Sequence, residues 1–183
     1  MKPTEELMKE HTAILLMLEI IESACKLLDG GKVVDVRELA RMLDFLKGFA
    51  DGCHHGKEEN ILFPAMEKAG IPREHGPIGV MLGEHELGRK YIRGMGEALE
   101  REKAHDTSWA SAFASSARAY RNLLTQHIEK ENNILFPMAD IHIAHDIQVR
   151  LSKEFEKLEL ERVGVGKHEE YHELLKSLKA AYL

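Results

Sequence analysis

Residues 54–64 read His-His-Gly-Lys-Glu-Glu-Asn-Ile-Leu-Phe-Pro, and residues 127–137 read His-Ile-Glu-Lys-Glu-Asn-Asn-Ile-Leu-Phe-Pro. The two segments align at a constant offset of 73 residues, pairing His54 with His127, Glu58 with Glu131 and Pro64 with Pro137. His55 and Glu59 meet only Ile128 and Asn132. The repeat therefore selects His54-x-x-x-Glu58 and His127-x-x-x-Glu131 as the shared pairs. Upstream, Glu10-His11 precedes the first pair as Glu84-His85 precedes the second. On an α-helix, residues i and i+4 share a face, so each pair aims an imidazole and a carboxylate in one direction.

The residues around these positions follow a helical period. Leu7, His11, Ile14, Leu18, Ile21, Cys25 and Leu28 form one seam over 4–29, and Gly30-Gly31 ends it. A second helix starts at Asp35, a good N-cap, and carries Leu39, Leu43, Leu46 and Ala50 on to His54 and Glu58 before Pro64 ends or kinks it. After a Gly- and Pro-rich loop over 70–77, Ile78, Met81, His85, Gly88 and Ile92 line a third helix, and Phe113, Ala117, Tyr120, Leu124, His127 and Glu131 a fourth. These spacings predict an all-α fold, an antiparallel up-down-up-down four-helix bundle with additional C-terminal helices. The extra helices are expected over about 141–161 and from Lys167 on, separated by Gly164-Val165-Gly166. A single domain over 1–183 is expected, with its bundle core at about 1–140 and a C-terminal extension at about 141–183.

The polar residues continue the apolar seams instead of interrupting them. His11 stands 18 residues before Asp29 and His54 19 after Asp35. His85 and His127 are spaced similarly about the turn near Ser108, so all four should lie in one layer, roughly 27–29 Å from the loops at that end. Buried there, His11, His54, Glu58, His85, His127 and Glu131 each need a partner, since an unpaired buried polar group costs about 1–3 kcal/mol. A mutual hydrogen-bond network in a metal-free helical protein is one solution. Two divalent ions, each held by the His pair of one half and sharing both carboxylates, is the better one, because it accounts for the repeat and the common level. Mixed imidazole and carboxylate donors favour iron, with manganese or zinc as alternatives.

Composition narrows the remaining classes. A net charge of −6, from 25 basic and 31 acidic residues without a basic run, argues against nucleic acid and anionic membranes as partners. No apolar run reaches membrane-spanning length and the N-terminus lacks an apolar signal core, so a cytoplasmic location is expected. Two cysteines, Cys25 and Cys53, against eleven histidines make a disulfide framework or a thiolate zinc site improbable. His75, His105, His142 and His145 lie in loops or outside the repeat and read as surface residues.

The order His11, His54-x-x-x-Glu58, His85, His127-x-x-x-Glu131, with Leu-Phe-Pro after each pair, resembles the hemerythrin-like, or HHE cation-binding, family over about residues 1–140. The resemblance implies a hemerythrin-like bundle holding two irons, bridged by an oxo or hydroxo group, with a position open to dioxygen, nitric oxide or peroxide. It further implies a role in oxygen binding, in sensing or stress protection, or in repair of iron-sulfur clusters; whether the protein is an enzyme stays open. Oxygen-carrying hemerythrins have His-x-x-x-His on the third helix, but the position four after His85 is Arg89. Two readings of the last helix stay open: His168 or His172 folds over the open end and supplies a fifth imidazole, with His168 preferred because it follows the Gly164–Gly166 break, or the two form a solvated pair on an amphipathic helix.

Overall fold

The computed structural model describes residues 1–162, 164 and 166–183. Every regular element among them is helical. Helix α1 is Pro3–Asp29; α2 (Val36–Phe45) continues without a break through π-helical stretches π1 (Leu46–His55) and π2 (Glu58–Leu62) into α3 (Phe63–Lys68). Helix α4 is Pro77–Lys103, and α5 (Trp109–Lys130) continues through π3 (Glu131–Leu135) into α6 (Phe136–His142). Helices α7 (His145–Arg162) and α8 (Lys167–Tyr182) complete the chain. The four long rods run up, down, up and down, with α5 packed against both α1 and α4.

The ends follow local chemistry. Asp35 caps α2 by accepting from the Arg37 N–H at 2.8 Å. Gly31, at φ +67, takes the left-handed turn after α1. Gly164 and Gly166 have φ +86 and +82 and separate α7 from α8; Val165, part of the expected break, lies outside the described residues.

Pro64 and Pro137 do not end their helices. Each rod loosens by one residue just before its proline, the Phe63 N–H donating to the Glu58 carbonyl and the Phe136 N–H to the Glu131 carbonyl. This i→i+5 turn absorbs the missing proline donor without stopping the rod, and such turns concentrate at functional sites.

The apolar interior divides in two. One cluster, with Ile14, Leu18, Phe45, Phe49, Met95, Phe113 and Tyr120, is closed by Leu174, Leu175 and Leu178 of α8. The other, with Leu7, Phe63, Met66, Ile78 and Phe136, is covered by Leu151 and Phe155 of α7. The polar layer falls between them along every rod, so apolar packing shields it above and below. Among the described residues, no helix is long and apolar enough to cross a membrane.

Candidate metal centre

Both predicted pairs and both upstream histidines converge. His11, His54, Glu58 and Glu131 each bring one donor atom to within 4.8 Å of the others, and so do His55, Glu58, His85 and His127. All seven side chains are buried, Glu58 and Glu131 completely. Each group takes the His pair of one half, and Glu58 belongs to both. Glu131 lies 3.1 Å from His127 as well as 3.1 Å from His11, so it too stands between the two groups.

His55 is the donor that the repeat conceals, because its counterpart is Ile128. In a regular α-helix, adjacent residues point about 100° apart, which would turn His55 away once His54 faces inward. The wider π1 coil changes that phase, and both imidazoles are buried. His55 stacks on His85, with ring centroids 3.9 Å apart. The expected fifth histidine, His168, is elsewhere. Its ring lies against Phe49, its side chain is one-third exposed, and its Nδ1 is 3.8 Å from Glu159. α8 packs on α1 beside the apolar cluster, and His172 too lies against Phe49 and belongs to neither donor group of the layer.

The outer contacts decide how the rings are aimed. Nδ1 of His54 donates to Glu10 at 2.8 Å, Nδ1 of His85 to Glu59 at 2.7 Å, Nδ1 of His127 to Glu84 at 2.9 Å and Nδ1 of His55 to Asp51 at 3.3 Å. Nδ1 of His11 meets the Asn132 side-chain oxygen at 2.8 Å. Carboxylates only accept, so they keep the proton on Nδ1 and leave the Nε2 lone pair facing inward. Each carboxylate is itself held by a cation: Glu10 by Lys57, Glu84 by Lys130, and Asp51 and Glu59 by Arg89. Arg89, which cannot ligate, thus anchors the outer partners of His55 and His85. The repeated phenylalanine seats the rings across the halves, Phe63 stacking on His85 and Phe136 on His11.

The interior of the layer is made of acceptors. Among the described residues, no hydrogen bond reaches either carboxylate oxygen of Glu58 or Glu131, nor Nε2 of His11 or His55. Nε2 of His85 faces Nε2 of His127 at 3.1 Å. Only a proton or another cation can stand between such atoms. The titration shifts describe the same demand. Burial and the adjacent Glu131 hold the Glu58 carboxyl well above the usual carboxylate range. Burial would lower His127, but Glu131 and Glu84 outweigh it and raise it to about 9. Burial and His85 push His55 down to about 3. The donor set fits one metal at each group: two imidazoles with carboxylate oxygens on one side, three imidazoles with carboxylate oxygen on the other.

Residues 2–139 match the Hemerythrin HHE cation binding domain. The chain belongs to the hemerythrin HHE family. The hemerythrin HHE match covers the rods that carry all seven buried donors and stops before α7. Its relatives include the iron-sulfur cluster repair protein YtfE of Edwardsiella ictaluri, 37% identical over 112 residues, which are 60% of this chain and 50% of that protein. The YtfE of Musicola paradisiaca is 37% identical over 90 residues, 47% of this chain and 40% of that one. An uncharacterized protein, Mb2018, of Mycobacterium bovis is 24% identical over 161 residues, 87% of this chain and 62% of that one. This hemerythrin HHE chain thus spans about half the length of the repair proteins it matches. No solved structure matches it.

A third acidic group, Glu10, Cys53 and Glu159, also has donor atoms within 4.8 Å of one another. The ammonium of the fully buried Lys57 already serves it, donating to Glu10 at 2.6 Å, Glu159 at 2.9 Å and Glu6 at 2.7 Å. In this hemerythrin HHE chain that group is an outer support of His54.

Proposed function

We propose that this chain is a non-haem di-iron protein that binds dioxygen, nitric oxide or peroxide at its buried His/Glu layer and acts in sensing or in protection against oxidative and nitrosative stress. The observation that carries the reading is the all-acceptor interior: four orphaned carboxylate oxygens and inward-facing Nε2 atoms, every one fully enclosed. His11 and His54 would hold one ion and His55, His85 and His127 the other, with Glu58 and Glu131 between them. Iron so held supplies one-electron redox chemistry and an affinity for small electron-rich ligands.

The chain's own groups do the rest. Glu10, Glu59, Glu84 and Asp51 keep the Nδ1 protons in place and so keep the rings from turning. Phe63, Phe136 and Leu7 exclude water on one side of the layer, and Ile14, Leu124 and Ile128 belong to the apolar cluster on the other. Two carboxylates facing two divalent ions leave excess positive charge in a buried site, which favours an anionic or readily reduced ligand. The group of His11 and His54 has two imidazoles against three in the other, and the ligand is assigned there. A cytoplasmic location is part of this reading.

A second reading, in which the iron is given up to damaged iron-sulfur clusters, is favoured by the names of the repair proteins with which the chain shares 37% identity over 112 and 90 residues. Anaerobic loading with ferrous iron, elemental analysis, and absorption spectra before and after air or nitric oxide test the main reading. Two irons per chain and a new ligand-dependent band are expected. Less than one iron per chain under ferrous excess would sink it. Turnover of hydrogen peroxide would mark an enzyme, reversible stoichiometric oxygen uptake a binding module, and iron transfer to a cluster-free acceptor protein the repair role.

A further inference from the structure

The outer contacts obey the same twofold relation as the donors, and they break it at one place. Glu10 and Glu84, each just before the first histidine of its half, accept from the second histidine, His54 and His127. Lys57 and Lys130, related by the repeat, clamp these two carboxylates. The residue following each shared glutamate reaches across to the other half: Glu59 to Nδ1 of His85 at 2.7 Å, and Asn132 to Nδ1 of His11 at 2.8 Å. The contacts have the same length and the same role. One acceptor is a carboxylate and the other is a neutral amide.

An ionised acceptor draws the Nδ1 proton toward itself and makes Nε2 a stronger electron donor; a neutral amide does this less. Of the five imidazoles in the layer, the other four face carboxylates. The weakest donor therefore sits in the group that already has only two imidazoles. Asp51 adds to the imbalance, since its carboxylate serves His55 on the three-histidine side. We propose that Asn132, in contact with His11, is a positioning residue that makes the ion of the two-histidine group the more electron-poor of the pair, and so the first to be reduced and the tighter binder of an anion. This inference rests on the di-metal reading above and goes beyond it, by assigning the inequality of the two ions to one outer residue.

The test is Asn132→Asp, which keeps size and contact and adds one charge, beside Glu59→Gln, which removes the charge from the related contact. Iron content, stepwise reduction potentials and affinity for inorganic azide are measured on the full chain. With two irons retained, Asn132→Asp lowers azide affinity about tenfold. It also moves the first reduction step to lower potential by a similar factor, about 59 mV for a tenfold change in a one-electron couple. Glu59→Gln moves the second step upward. Unchanged potentials and azide binding in an Asn132→Asp protein that holds two irons would overturn the inference. If Asn132→Asp loses iron, Glu59→Gln decides alone, and an unmoved second step overturns it. If the unaltered chain itself fails to bind two irons, the di-metal reading falls and this inference with it, a result the iron content separates from the others.

Discussion

His85 and His127 approach Nε2 to Nε2 at 3.1 Å while their Nδ1 atoms are bound to Glu59 and Glu84, so only a proton or another cation can stand between the two rings. Such a contact is held together from without by packing and requires a cation within. Chelating the metal should therefore cost stability. A free ion at a hundredfold its dissociation constant adds about 2.7 kcal/mol per site, and a chain of this length shifts by roughly 2–4 °C per kcal/mol. Removal of both ions should lower Tm by on the order of 10 °C or more in a melting scan. An identical Tm with and without chelator would contradict a metal-holding layer.

His55 and His168 give opposite expectations. His55→Ala should keep helix content by circular dichroism but lower bound iron from about two to about one per chain, because its Nε2 belongs to the three-histidine group. His168→Ala should leave iron content unchanged, since that ring packs on Phe49 at the edge of α8. Elemental analysis of the two variants separates these outcomes, and the reverse pattern would restore the histidine expected from the sequence.

Lys57 is fully buried among Glu6, Glu10 and Glu159. Burial disfavours its charge, but Glu10 and the other acids outweigh burial and raise its pKa, so it stays an ammonium. Lys57→Met strips three carboxylates of their counter-ion and should cost roughly 3–5 kcal/mol in urea denaturation. Adding Glu10→Gln should recover part of that loss. An unaltered midpoint for Lys57→Met would mean that the acids find other partners.

Both thiols are buried, and burial pushes Cys25 up to about 11 and Cys53 up to about 12. An unfolded thiol ionises near 8.5. Because the folded values are raised, the stabilising contribution is complete below about pH 8.5 and fades as pH climbs toward 11. Iodoacetamide at pH 8 should leave both cysteines unmodified in the folded chain and label both in denaturant, as mass spectrometry would show. Rapid labelling of the folded protein would place a thiol at the surface.

The bundle and most of the site were legible in the sequence because periodicity and repetition are local properties. Apolar residues every three or four positions dictate which helix face is buried, and the 73-residue offset marked His54, Glu58, His127 and Glu131, with His11 and His85 upstream. Leu-Phe-Pro stood out as a repeated string, yet its work, a π turn that begins at each shared glutamate and a phenylalanine seated on the opposite half's histidine, emerges only in three dimensions.

His55, Asp51, Glu59, Lys57 and Arg89 were out of reach for a definite reason. The repeat passes over His55 because its counterpart is Ile128, and with Arg89 four after His85 the fifth imidazole was looked for in α8; the π1 coil that brings His55 inward departs from 3.6 residues per turn and leaves no mark in the repeat. The outer acids and their cations meet their partners from distant parts of the chain, Lys57 reaching Glu10 47 positions away and Arg89 reaching Asp51 38 away, distances that no helical period encodes. By itself the sequence determined four seams, one shared level and two matched pairs, because side-chain pattern along a helix fixes which way each residue faces. Tertiary structure decided which imidazole completes the second group and which carboxylate holds each ring, because those choices depend on how loosened turns and separate rods come into register.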